Sequence, residues 1–202
     1  MYRRDAGSAT LNCTIALAVL IIAVAVTAYT YDVSVVSVIK TQVENDLELS
    51  NLSAAIIDSE YYTENGQFRL KSAADLYDKF IDIFQANMGL EHIGGNKHGP
   101  KSGSCFESVI SYVTVSSFIV YNPDGDNIEV SEYNSDTGAT NIQVMNNSGG
   151  NVVTPDGAVV ETPTLYTKVE VKLALPGTVP GEAEIGIQKI VTRENSVAIV
   201  ID

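Results

Sequence analysis

The chain has no tryptophan and only two cysteines, Cys13 and Cys105, in 202 residues. Cys13 lies inside an apolar run and Cys105 follows a glycine-rich stretch, so the two have no reason to meet. An intrachain disulfide framework is thereby excluded as the source of stability, although export would permit one. Cations are scarce as well. Twelve Lys and Arg stand against 25 Asp and Glu, a formal net charge of -13. The basic residues are scattered singly or in separated pairs, and nucleic acid, which is bound by clustered cations, is not expected as a partner.

Signatures of chemistry are missing too. No G-x-S-x-G elbow occurs, and Gly94-Gly95 lacks the spacing of a phosphate-binding loop. His92, His98 and Cys105 fall within fourteen residues, but their spacing matches no zinc pattern and a fourth ligand is lacking. Asp124, Asp126 and Glu129 suggest a calcium loop, yet Ile128 fills an acidic slot and the glycine is misplaced, which leaves an acidic hairpin tip. The expectation is a protein without enzymatic activity, cofactor or metal.

What the sequence does contain is a long apolar run. No charge occurs from Ala6 to Tyr31, and neither Gly nor Pro occurs from Leu11 to Asn65. Roughly 20 apolar residues at 1.5 Å each cross a hydrocarbon core of about 30 Å, so residues 8–31 read as a transmembrane helix. Tyr29 and Tyr31 fit an interfacial aromatic belt, and Asp32 marks the exit to water. Arg3 and Arg4 precede the span while Lys40 is the first cation after it, so the positive-inside rule puts the N-terminus in the cytoplasm. With 10 basic and 24 acidic residues, the acidity then belongs to the exported part.

Beyond the span, Val36, Ile39, Val43, Leu47, Ala54 and Ile57 keep the spacing of one helical stripe, with Lys40, Gln42, Glu44, Asn45, Glu48 and Asn51 on wetter faces. Residues 32–62 are therefore read as an amphipathic continuation of the same rod, with Gly66 as its first clear stop. Residues 63–202 form the extracytoplasmic domain, and the part from Ala73 onward is expected to fold by itself. Ser72 and Asp75 open a helix over Ala73 to Met88, which buries Leu76, Phe80, Ile83, Phe84 and Met88 and stops at Gly89. Residues 94–103 read as a mobile surface loop. The period then becomes two, over Val109 to Tyr121, Asn127 to Tyr133, Asn141 to Met145, Val159 to Thr162, Tyr166 to Leu175, Glu184 to Thr192 and Val197 to Ile201. Val169, Val171 and Leu173 alternate with Lys168, Glu170 and Lys172, predicting a sheet with one wet face. The fold class is α+β, a long N-terminal helix packed on an antiparallel sheet with one further helix.

The basic leader 1–7, Gly7, the polar Asn12 five residues on, the apolar span and its amphipathic continuation together resemble type IV pilin-like proteins. The run from Arg3 to Leu17 looks most like the start of Tad pseudopilins of the TadE/TadG kind. The resemblance implies leader processing at Gly7 with Ser8 as the new N-terminus, and Asn12 stands where that family carries a glutamate. A pilin-like or pseudopilin-like structural subunit of a cell-surface filament or its assembly system follows, with the membrane and other pilin-like subunits as partners. Separately from the resemblance, Thr14, Ala18, Ala23 and Thr27 are small residues suited to close helix approach. Two other readings stay open: a surface binding module tethered by one span, and a secreted protein cleaved after Ala28, where Val26-Thr27-Ala28 has signal-peptidase character.

Overall fold

In the computed structural model, residues 5–174 and 182–192 are described. The first element, α1 (Asp5–Ala54), is one helix of 50 residues, about 75 Å long at 1.5 Å per residue. Nothing divides it near Tyr29, as the lack of Gly and Pro predicts. It does end earlier than the sequence suggests. Residues 55–58 leave the helix, and Ile57 pairs with Leu70 as an isolated antiparallel bridge. Asp58 N–H donates to Arg69 O and Lys71 N–H to Ile56 O, so the freed backbone is satisfied by strand-like pairing. Asp58 then caps a separate short helix, α2 (Ser59–Asn65), its carboxylate accepting from Tyr61 N–H at 3.1 Å. The continuation expected to residue 62 is thus corrected: the rod stops at Ala54, and Gly66, with φ of 67°, ends α2 instead.

Helix α3 (Ala73–Met88) has the predicted limits. Ser72 Oγ accepts from Asp75 N–H, and Gly89 ends the helix in the left-handed region, φ 61°, which only glycine adopts without strain. Its buried face is Leu76, Tyr77, Phe80, Phe84 and Met88, while Ile83 is only half-buried.

The stretch expected to be a mobile loop is largely a hairpin. Strands β1 (Leu90–Gly94) and β2 (Lys97–Pro100) pair antiparallel, with Gly94 and Gly95 at positive φ in the turn. Glycine spacing here served a tight turn rather than disorder. The long β3 (Ile110–Asp124) follows, then β4 (Asn127–Asn134), β5 (Ala139–Asn146), β6 (Thr164–Ala174) and β7 (Glu182–Thr192). All pairings are antiparallel: β1-β2-β3-β4-β5 run in order, and β3 also pairs with β6, which pairs with β7. Asp124↔Asn127 closes the β3–β4 turn at the expected acidic hairpin tip, Gly125 having φ of 57°. The expected strand at 159–162 reduces to one bridge, Val153↔Val159, and the one at 197–201 lies outside the described residues.

The α+β layout is therefore observed, with the core on one face of the sheet. Ile39, Val43, Leu47 and Ala54 of α1 join Leu76, Phe80, Phe84 and Met88 of α3 over Val113, Val115, Phe118, Val120, Val169, Val171 and Ile187. Because α1 supplies four of these buried side chains, the domain does not begin at residue 63 or 73; the second half of α1 is part of it. The other face is wet only in part. Ile119, Tyr121, Ile128 and Tyr166 form a second cluster with Val152 and Val160, which come from the segment between β5 and β6. That segment is held by Val160 N–H to Val152 O and Thr154 N–H to Ala158 O. Alternation on β6 is consequently lost from Thr164 to Thr167, all four buried.

Candidate functional site

Every described residue from Thr10 to Thr27 is exposed, including Leu17, Leu20, Ile21, Ile22 and Val24 at 56–63%. A helix with apolar residues around its whole circumference and no contact to the rest of the chain is stable in a solvent as apolar as itself. Among the described residues this is the one helix long and apolar enough to cross a membrane. The threonine hydroxyls add no polar demand, since Thr14 Oγ1 donates to Thr10 O at 3.0 Å and Thr27 Oγ1 to Ala23 O at 2.9 Å. Such bonding within the helix is how hydroxyls are accommodated where water is absent.

The helix settles how the predicted contact residues are arranged. At about 100° per residue, Thr14 and Ala18 share one side, whereas Ala23 and Thr27 are half a turn out of phase with them. The four small residues thus form two opposed pairs rather than one stripe. Asn12 falls within about 20° of Ala23, so Asn12, Ala23 and Thr27 belong together. Gly7 and Ser8 lie within the first turns of α1.

The rod enters the domain at Ala28, which is half-buried, and Asp32, which is 8% exposed. From there polar residues reach into the helix–sheet junction. Asn51, placed by periodicity on a wet face, is fully buried, and its Oδ1 accepts from Thr167 Oγ1 at 2.9 Å. Asp46 Oδ2 accepts from Gln42 Nε2 at 2.9 Å, and Lys189 Nζ reaches Glu48 Oε2 at 3.1 Å. Asn51 lies four residues after Leu47, on the stripe itself, and this spacing was the signal that could have identified it.

A second anchor fixes the chain beyond α1. The buried Asn122 side chain accepts from Leu70 N–H at 2.8 Å and donates to Leu70 O at 3.1 Å, acting as one rung of a sheet. Arg69 pairs with Glu129 of β4 alongside. The acidic hairpin residue Glu129 therefore engages a cation of the chain itself.

His92 and His98 face each other across β1 and β2 with ring centroids 5.6 Å apart. His98 is buried, and its Nδ1 lies 2.6 Å from the Gln85 amide nitrogen. With that amide donating, the His98 proton resides on Nε2. Burial, and then the neighbouring His92, push His98 down to about 4. Cys105 is exposed and, with Phe106, lines an apolar groove of about 510 Å³ against Tyr31, Val35 and Val38 of α1. Among the described residues no cluster of His, Cys, Asp or Glu is suited to holding a metal ion. A larger groove, about 730 Å³, opens on the second face of the sheet beside β5, between Asn141, Gln143 and Met145 and the segment at Val152 and Val153.

Comparison with protein-family models, with curated proteins and with solved structures returns no match.

Proposed function

We propose that the chain is a pilin-like or pseudopilin-like structural subunit of a cell-surface filament or its assembly system, held in the membrane by the first half of α1. The observation that carries this reading is the undivided α1: apolar and bare over its first half, and built into the domain core by Ile39, Val43, Leu47 and Ala54 over its second. A mere tether has no need of such rigidity. A rod that is half lipid-soluble and half domain fixes the domain at one height and one rotation relative to its neighbours.

The face carrying Asn12, Ala23 and Thr27 is the proposed subunit contact. Asn12 offers a neutral amide where the resembling family has a glutamate, and a neutral hydrogen bond is weaker than a charge-assisted one. This favours a minor or pseudopilin role over that of a major filament subunit. The N-terminus is proposed to face the cytoplasm and the acidic domain the outside.

N-terminal sequencing and intact mass of the native protein test the reading. A start at Ser8 supports it, a start at Met1 favours the tethered module, and a start at Tyr29 replaces both with a secreted protein. Ala23→Lys places a cation in mid-span at a cost of about 2.5–3.5 kcal/mol and should abolish co-purification with partner subunits. Unchanged co-assembly of that variant would sink the proposal.

A further inference from the structure

We infer that the free edge of β5 is a self-association surface that pairs with β5 of a second copy, antiparallel and centred on Gln143. The edges of the sheet differ in the features that normally discourage strand addition. Strand β1 is short, carries Glu91 and has an irregular register between His92 and Gly94. Strand β7 carries Glu182, Glu184 and Lys189, and Lys189 is tied to Glu48 of α1. Strand β5 has none of these protections. Its sequence, Ala139-Thr140-Asn141-Ile142-Gln143-Val144-Met145-Asn146, contains no charge, no proline and no glycine. All eight residues are exposed, and the register with β4 is unbroken from Asn127↔Asn146 to Asn134↔Ala139. Among the described residues β5 pairs with β4 alone. A long, regularly paired, uncharged edge is a template for another strand.

The occupant follows from the strand's own order. With Gln143 on the two-fold axis, Ile142 of each copy lies opposite Val144 of the other, on the same face, and Asn141 lies opposite Met145. Ile142 and Val144 are 59% and 69% exposed, among the highest values for apolar side chains outside the membrane segment. Directly opposed apolar residues are the stabilising unit of an antiparallel pair, and this register supplies two such pairs at once. Met145 of the second copy would arrive beside Asn141, at the mouth of the 730 Å³ groove. Charge points the same way. A chain of net charge -13 repels its copy almost everywhere, and β5 is a strand on which two copies meet without bringing carboxylates face to face. Anchoring in one membrane raises the effective concentration, so a contact of this modest size suffices. The inference is independent of the filament reading, since two tethered domains are enough.

Register-specific cross-linking tests it in the full chain, in membranes, with Cys13 and Cys105 replaced by serine. Gln143→Cys should give a disulfide-linked dimer under mild oxidation. Ala139→Cys should not, because in this register the two copies of that residue lie about 26 Å apart, eight residues at about 3.3 Å each. Adding Val144→Lys to the Gln143→Cys chain should cut the dimer at least tenfold, with the melting temperature unchanged because the side chain is exposed. Cross-linking of both positions alike, of neither, or of Gln143→Cys to a different protein overturns the proposal.

Discussion

Two buried polar side chains decide more of this structure than their chemistry suggests in the sequence. Asn122 stands in a run of β-rich residues, and its amide closes a rung on both backbone groups of Leu70. Replacing it with Leu leaves a buried N–H and C=O unsatisfied, so Asn122→Leu should destabilise the domain by about 3 kcal/mol, read as a lower thermal midpoint. An unchanged midpoint would mean that water takes over the rung. His98 gives a pH signature. Its folded value of about 4 lies below the ordinary 6.5, so the neutral ring is the stabilised form. The unfolded chain therefore binds the extra proton, and the His98 contribution is complete above about pH 6.5 and is lost as pH falls toward 4. Thermal midpoints of the wild type and of His98→Asn should differ less and less over that window, because the asparagine variant lacks the penalty. A constant difference would show that His98 is not held neutral.

At the scale of elements, the sequence was most readable where periodicity ran long. The absence of Gly and Pro gave α1 undivided past its apolar stretch, Ser72 and Gly89 bounded α3, and Asp124 to Asn127 turned where expected. What escaped was whatever depends on pairing across long separation. Nothing local in Ile56 to Asp58 announces that these residues leave the helix, because their partners are Arg69 to Lys71. Asn51 read as solvated because Thr167, whose hydroxyl donates to its Oδ1, lies 116 residues away. Val152 and Val160 lie among turn residues and still roof the second face of the sheet. The candidate contact positions were legible as small residues, but their division between opposite sides of α1 required the angular arithmetic of a continuous helix. The same element carries a prediction about where the domain begins. A chain starting at Tyr29 keeps Ile39, Val43, Leu47 and Ala54 and should unfold cooperatively near the full-length midpoint. One starting at Ala73 loses six buried core residues, Ile39, Val43, Leu47, Ala54, Ala55 and Leu70, and exposes the α3 and β7 surfaces beneath them, the four large side chains being worth roughly 1.5–3 kcal/mol each. That exceeds much of the usual 5–15 kcal/mol margin, so it should lack a cooperative transition. Cooperative melting of the shorter chain would show that α1 is dispensable to the core.

For the molecule as a whole, the arrangement brings the domain right up to the end of the apolar span. Tyr31 marks that end and lines the same groove as Cys105 and Phe106, so the base of the domain lies at the level where α1 leaves the apolar stretch. The two cysteines consequently report on opposite environments. Cys13 lies within the bare apolar stretch, and Cys105 is exposed in the turn that precedes β3. On the proposed orientation, intact cells stripped of any outer barrier should take up one equivalent of a membrane-impermeant maleimide, and Cys105→Ser should abolish the labelling. Cys13→Ser should leave it unchanged. Labelling of Cys105 only after the membrane is opened would place the acidic domain in the cytoplasm. It would then remove the surface reading altogether, since a filament subunit whose domain faces inward has nothing to assemble outside.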